Sequence, residues 1–572
     1  MKTGVRVNLP DRKNYKRIRP WIFYLILFGL AVVFRLVLVL LYQHAVSFDE
    51  AHYLRLAGSF LERGPAGLLH PYWPPLFPLL IAVSQTLFRN LEWAGRLLNM
   101  IAGSALVLMI PRFSRALFGD AAARITGLFI AFYPPLALSQ TNVMPETLYS
   151  VAGIGGILLA WRAIERRRFG PALTAGLVWG MAYLLKPEGV GFLIVFSGVF
   201  LVIQLFNHSR RRWMAALIVC TGFAVVAGPY LGYLRHTMGK WTLSSKGDVD
   251  QQLSAAVMFD EGEIKDPFYH LTADNQSLPY DMAYHYGNLQ ELKQHGEGES
   301  RVVRLSAGHY IRKYGINFYD LVKYAIPRVF TFSILILAAL GFFSAVNRQG
   351  RFIFFYLLCH FLFFWFLVVP LFHVNDRYLA PLFPLVFIWA GQGCRIMAIW
   401  IRERMAESGR IMRRISGDRA GLILVTAFVL VFSVIPESAK IMMTPRYDPG
   451  IWAQPVGLKK AGLWLRTQTE GPPVLMSLNK AVDFYAGQYD MKKGASFSYD
   501  SIRRNLAYAR NRHVQYLVFS ERYLEWFPNL RPLIDGSDLP DGIDLIYTDT
   551  DPAGIRTVIY KLKNENHTGE GR

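Results

Sequence analysis

The chain is predicted to be an α-helical polytopic membrane protein of roughly eleven spans, with juxtamembrane helices in its first outer loop and a small C-terminal soluble α/β domain. Three observations predict this. Of the 572 residues, 53% are hydrophobic, and they gather into long runs rather than amphipathic periods. Basic residues crowd every second connection between those runs. Beyond about residue 439 the runs stop, and short helix-like and strand-like segments alternate.

Residues 1–20 form a basic leader with Lys2, Arg6, Arg12, Lys13, Lys16, Arg17 and Arg19. It looks like the start of a secretory signal, but the apolar run that follows is too long for a signal core, so an uncleaved first span is expected. A hydrocarbon core of about 30 Å needs about 20 helical residues. Residues 21–42 meet that length with one charge, Arg35, which is expected to face the bundle or a wet cavity. Further spans are expected near 93–111, 119–138, 147–161, 171–185, 189–206, 213–234, 326–346, 352–372, 378–399 and 420–437.

Loop charge tests this count. The second connection carries Arg112, Arg115 and Arg124, the fourth Arg162, Arg166, Arg167 and Arg168, and the sixth Arg210, Arg211 and Arg212. Arg348 and Arg351, then Arg402, Arg404, Arg410, Arg413, Arg414 and Arg419, continue the alternation. The short connections on the other side hold little beyond Lys186 and Arg377. The positive-inside rule then puts the N-terminus in the cytoplasm, in the bacterial inner (plasma) membrane. Three larger pieces fall outside: loop 43–92, loop 235–325 and the segment 439–572, leaving 21–438 as the membrane domain.

The formal charge of +21, from 62 basic and 41 acidic residues, is explained by those loops and their anionic lipid surface. No nucleic-acid motif accompanies it, and no nucleic-acid partner is expected. Cys220, Cys359 and Cys394 lie within or beside apolar runs and read as packing residues rather than a disulfide or zinc set.

In the first loop, residues 50–62 read as a surface helix with Leu54, Ala57 and Leu61 on one side, and 76–88 as a short apolar helix along the interface. In the C-terminal segment, 456–467 reads as helix, and Val474–Leu478, Tyr516–Ser520, Ile543–Tyr547 and Thr557–Leu562 as strands. Loop 235–325 carries Lys240, Lys246, Asp248 and Asp250 and reads as a lid without assigned roles.

Two patches in the first loop can carry chemistry. Ser47-Phe48-Asp49-Glu50-Ala51-His52-Tyr53 sets two carboxylates at the membrane surface. There they can take a proton from a hydroxyl or hold a cation against a phosphate, or simply cap a helix. His70-Pro71-Tyr72-Trp73-Pro74-Pro75 is either a substrate-facing patch or an aromatic belt with a turn. His52, His70 and His373 lie on the same side without zinc spacing and read as polar surface groups.

Taken with Pro74-Pro75-Leu76-Phe77-Pro78-Leu79 and Gly95-Arg96-Leu97-Leu98-Asn99, Phe48-Asp49-Glu50 resembles the C-type glycosyltransferase superfamily, more narrowly the bacterial relatives of protein O-mannosyltransferases and of the aminoarabinose transferase acting on lipid A. The similarity continues in order through Tyr133-Pro134-Pro135, Pro145-Glu146-Thr147-Leu148, Lys186-Pro187-Glu188-Gly189 and Asp376-Arg377-Tyr378-Leu379-Ala380-Pro381. The resemblance implies transfer of a monosaccharide from a polyprenyl-phosphate carrier, with inversion, to an acceptor hydroxyl on a lipid, glycan or protein.

It also implies roles. Asp49 is the acid that activates or orients the acceptor, and Glu50 its partner. Glu146 and Glu188 position substrate, and Glu188 pairs with Lys186. Lys186, Arg377 and Tyr378 hold the donor phosphate, whose developing charge a fixed cation stabilises. Tyr53, His70 and Trp73 contact substrate at the interface, and a divalent cation on Asp49 and Glu146 is a further expectation. The Trp-Trp-Asp motif of oligosaccharyltransferases is absent.

Two other readings stay open. A transporter would bind solute with the same acids and cations, but it calls for paired repeats, of which the sequence shows none, and intramembrane charges, of which it has few. A noncatalytic lipid-binding scaffold would leave the acids remote from any membrane-level cavity.

Overall fold

The computed structural model describes residues 20–166, 168–206, 209–247, 269–286, 307–346, 350–372, 374–407 and 453–563, with a few isolated positions from 427 to 439. The expected span at 420–437 and His373 lie largely or wholly outside these residues.

The chain is a helical bundle. Helix α1, Pro20–Tyr42, shows how the sequence divides lipid from protein. Leu25, Ile26, Leu30, Val33, Val37, Leu40 and Leu41 are exposed along one helical stripe, whereas Leu27, Ala31, Arg35 and Leu38 are buried on the other. An apolar stripe of that length open to its surroundings faces lipid.

Seven helices are long and apolar enough to cross a membrane, or eight when a pair bent by 106° is counted as one span. The expected eleven crossings are therefore met by length in seven or eight places among the described residues. Phe169–Leu185 is apolar but shorter. The bent pair, Tyr310–Val329 with Phe332–Phe342, shows that helix begins well inside the segment expected to be loop 235–325. Helices cross closely where side chains are missing: a Cβ on Gly341 would lie 1.9 Å from the Trp389 carbonyl oxygen, and one on Gly393 1.9 Å from that of Leu337.

After α1 come α2, Phe48–Arg63, α3, Leu76–Phe88, and α4, Leu91–Phe118. Next are α5, Asp120–Phe132, and α6, Pro134–Ser139, which split the span expected at 119–138. The cause is Pro134-Pro135: neither has an N–H, so the carbonyls of Ile130 and Ala131, four residues earlier, have no helical donor. Arg35 supplies one from α1, its guanidinium donating to Ile130 O at 3.0 Å, Ala131 O at 3.1 Å and Gln140 Oε1 at 2.6 Å. A buried charge in a span is thus a repair for a proline break, facing the bundle as expected.

Helix α7 is Glu146–Arg166, α8 Phe169–Leu185, α9 Val190–Phe206 and α10 Arg210–Met238. At the start of α4 the Gly-Arg-Leu-Leu-Asn stretch is a clamp. A Cβ on Gly95 would sit 2.4 Å from Val143; Arg96 donates to Thr141 O, Ala45 O and Gln43, and Asn99 to the carbonyls of Asn142 and Met144. These bonds fix the turns before α2 and before α7 at one end of the bundle.

That same end carries the α/β domain of residues 453–563. Its sheet has strand order β1-β2-β4-β3, with β1 Leu475–Met476, β2 Tyr516–Ser520, β3 Ile543–Thr550 and β4 Arg556–Leu562. Among these strands β1 and β2 pair in parallel and the other neighbours antiparallel, and β3 bulges between Leu545 and Tyr547. Leu465 from the helix Val456–Gln468 packs with Leu475, Val518 and Ile559 into its core.

The domain docks on α2, which corrects the expectation of a surface helix. Residues from Glu50 to Ser59 are all buried, because bundle covers one side and domain the other. Arg55 donates to the carbonyls of Gln488 and Asp490, each at 2.8 Å, and a Cβ on Gly58 would meet the Tyr489 ring at 2.5 Å. Tyr485 donates to Glu92 at 2.9 Å and accepts from Val46 N. By contrast α3 is the short apolar helix expected, with Phe77 and Ile81 inward and Val83 and Leu87 outward.

Candidate active site

Ser47, not Asp49, is the N-cap of α2. Glu50, three residues on, closes a capping box: its Oε2 accepts from Ser47 N at 2.7 Å, and its Oε1 accepts from Val143 N at 2.6 Å. Both oxygens of Glu50 are therefore spent on backbone. The expected second catalytic carboxylate is a brace between the first loop and the turn before α7.

With the cap supplied by its neighbours, the Asp49 carboxylate turns to Arg377, which donates to Oδ2 from the far end of the chain. Arg377 lies in a short turn, Asp376–Leu379, that Asn375 caps by accepting from Arg377 N. The pair stays accessible, with side chains 30% and 40% exposed. Burial by itself would raise the Asp49 pKa, but Arg377, aided by Lys246 and Lys186, outweighs it and holds the carboxyl below its ordinary value.

From Arg377 a line of contacts leads inward. The guanidinium lies 5.3 Å from the centre of the Tyr378 ring, and Lys186 Nζ lies 4.8 Å from the same ring. Lys186 pairs with Glu146 at 3.1 Å. This corrects the expected Lys186–Glu188 pairing, although Glu188 remains within electrostatic range of both Lys186 and Arg377. Glu146 Oε2, Glu188 Oε2 and the Tyr149 hydroxyl are buried without a hydrogen-bond partner among the described residues. Asp49, Arg377, Tyr378, Lys186, Glu146 and Glu188 thus come together from four separate stretches of chain.

Tyr53, His70 and Trp73, expected to contact substrate at the interface, are all buried. Tyr53 packs edge-on against Trp73 and Phe77, with its hydroxyl in electrostatic range of Glu146 and Asp49. His70 is a turn residue whose Nδ1 accepts from Tyr72 N and Trp73 N, so that its Nε2 donates to the His285 carbonyl. Trp73 Nε1 donates to Tyr284 O at 2.9 Å. His52 stacks on Trp73. Burial lowers the His70 pKa to about 3 and that of His285 to about 4, and pushes His52 well below its ordinary value.

The residues do not fit the expected divalent cation. Asp49 and Glu146 are each held by a cation of the chain itself, and no three His, Cys, Asp or Glu converge as a metal site among the described residues. Lys246 was not expected here. Its ammonium lies over the rings of Tyr72 and Trp73, and no spacing in the sequence pointed to it.

A charged, partly open cluster at one end of a bundle whose helices are, in seven or eight places among the described residues, long and apolar enough to cross a membrane defines a polytopic membrane protein. Over residues 70–231 the chain matches the family described as dolichyl-phosphate-mannose-protein mannosyltransferase. Its fold is similar to that of the oligosaccharyltransferase AglB from Archaeoglobus fulgidus in complex with an inhibitory peptide and a dolichol-phosphate, at TM-score 0.54 and 13% identity over 94% of this chain and 74% of that one. It is also similar to ArnT from Cupriavidus metallidurans in the apo state, at TM-score 0.52 and 14% identity over 94% and 97% of the two chains. No curated protein matches in sequence. The family match covers less than a third of the chain, and the two structural likenesses show a shared fold.

Proposed function

We propose that the chain transfers a monosaccharide from a polyprenyl-phosphate carrier to an acceptor hydroxyl, at the outer face of a bacterial inner membrane. The observation that carries this reading is the Asp49–Arg377 pair, open on one side and joined through Tyr378 to Lys186. A proton acceptor and two anion-binding cations stand side by side, which is what displacement at a phosphate-linked anomeric carbon requires.

In this mechanism the lipid-linked donor enters from the bilayer, and its phosphate oxygens bind Arg377 and Lys186. The acceptor oxygen attacks the anomeric carbon from the face opposite the phosphate. As that bond forms, the bond from carbon to phosphate oxygen breaks and its electron pair stays on the phosphate. The hydroxyl proton passes to Asp49. A guanidinium and an ammonium that are already in place stabilise the leaving phosphate without reorganisation. The configuration inverts. No step is routed through a metal.

Loop charge supports the orientation, and the AglB structure, solved with a dolichol-phosphate, supports a lipid-phosphate donor. The test is the full chain in nanodiscs given polyprenyl-phosphate hexoses and pentoses together with an extract of envelope lipids, glycans and proteins. Acceptor-dependent release of free polyprenyl phosphate is the expected result. Absence of release with every donor, from correctly folded protein, would overturn the reading.

A further inference from the structure

The end of the bundle opposite the site gathers like charges. Helix α4 packs against α1, α5 and α7, and near its end the Phe113 ring lies 6.1 Å from that of Trp161. Arg112 and Arg115 stand on the last two turns of α4, Arg124 on the second turn of α5 and Arg162 near the end of α7. The Arg115 guanidinium lies 6.0 Å from the centre of the Tyr24 ring, and that of Arg124 5.7 Å from the centre of the Phe23 ring, so two of the four reach the start of α1. Arg112 is in electrostatic range of Arg115, Arg162 and the Tyr24 phenol.

The acids on these helix ends do not balance that charge. Asp120 is spent on Arg115 at 2.6 Å, and the exposed Glu165 pairs with none of the four among the described residues. Arg112 donates to the Leu108 carbonyl of its own helix, a neutral partner, and Arg162 makes no ion pair or hydrogen bond among the described residues. Guanidinium groups repel one another, so a fold that assembles them calls for an anion. The neighbouring surface says which kind. The exposed stripe of α1 begins beside Tyr24 with Leu25, Ile26 and Leu30, and Trp21, 59% exposed, stands at the depth of an interfacial aromatic. The cluster therefore borders acyl chains, and the anion that fits it is a phosphate carried on such chains.

We infer that Arg112 and Arg162, flanked by Arg115 and Arg124, bind the headgroup phosphate of an anionic phospholipid at the end of the bundle opposite the candidate active site. The planar guanidinium forks take phosphate oxygens, and the acyl chains lie along the exposed stripe of α1. The lipid ties α1 to the ends of α4 and α7 and takes no part in the transfer chemistry, so the inference is independent of the proposed donor.

The experiment measures equilibrium binding of a fluorescent phosphatidylglycerol to the full chain in phosphatidylcholine nanodiscs, a readout independent of turnover. Replacing both arginines, Arg112→Gln with Arg162→Gln, should weaken binding on the order of 30-fold, the scale of two charges at a membrane surface. Arg211→Gln, which removes an exposed arginine at the start of α10 on the same side, should change nothing. Should the double variant fail to fold, Arg162→Gln alone serves, with a loss of about fivefold, because that side chain makes no hydrogen bond or ion pair among the described residues.

Undiminished binding in the folded variant overturns the inference, as does a wild-type protein that shows no preference for phosphatidylglycerol over phosphatidylcholine. An equal loss in Arg211→Gln would assign the affinity to diffuse attraction by the whole basic face, and displacement of the lipid by inorganic phosphate at the same concentration would make this a free-phosphate site; either result overturns it. All of these outcomes leave the proposed transfer standing.

Discussion

Asp49 and Arg377 meet across 328 residues of sequence, joining the helix that follows the first span to a turn near the end of the membrane domain. Since burial alone would raise the Asp49 pKa and Arg377 reverses this, the guanidinium keeps the base ionised. Asp49 is active as the carboxylate, so the acid limb of kcat/KM follows its pKa. Arg377→Ala removes the depressing charge and leaves the burial, so the limb should move to higher pH as the rate falls. A pH–rate profile checks this; a lower rate with an unmoved limb would assign Arg377 to the donor alone.

Glu50 should behave as structure. Glu50→Ala leaves the N–H groups of Ser47 and Val143 without acceptors, at about 1–3 kcal/mol for each buried orphan. The melting temperature in detergent should fall clearly, while transfer per folded molecule stays within about threefold, a residual change well below the loss of a general base. Full stability with lost activity would return Glu50 to the chemistry.

The Arg35 repair makes a pairwise claim. Arg35→Leu strips donors from the carbonyls of Ile130 and Ala131, and Gln140→Leu strips the guanidinium of its side-chain acceptor. Both changes should destabilise the bundle, and the double variant should cost less than the two single costs added, because each removes the same contact. Strict additivity in a thermal cycle would show that the bonds do not couple.

Acid should loosen the roof of the site. His52, His70 and His285 have folded pKa values below the unfolded value near 6.5, so unfolded chain binds protons more readily there. Their contribution is fully present above that value and is lost as pH falls toward about 4 and 3 for His285 and His70. Amide exchange in residues 269–286 and 481–498 should rise on acidification below pH ~6. Exchange that stays flat to pH ~4 would contradict it.

Much of this was legible in the residues. Apolar runs gave the helices, although 119–138 was read as one span across the break at Pro134-Pro135, and strand-like runs gave β2 and β4 nearly to the residue. The site acids and cations stood out because charge is scarce in the connections on that side. What stayed hidden was partnership. An Asp-Glu pair at a helix start does not say which member caps, since that depends on Ser47 and on Val143, 93 residues from Glu50. Burial of His70 and Trp73 depends on residues 269–286, and burial of the outer side of α2 on a domain more than 400 residues later. Lys246 was one lysine among several in a mixed-charge loop, and only the fold lays it over Tyr72 and Trp73.

Single-turnover release of polyprenyl phosphate from the lipid-linked donor, with wild-type protein and with Asp49→Asn at equal folded concentration, tests the central claim most directly. Loss of the proton acceptor should slow the chemical step by on the order of 10²-fold or more while donor binding persists. An Asn variant that turns over at the wild-type rate would contradict it.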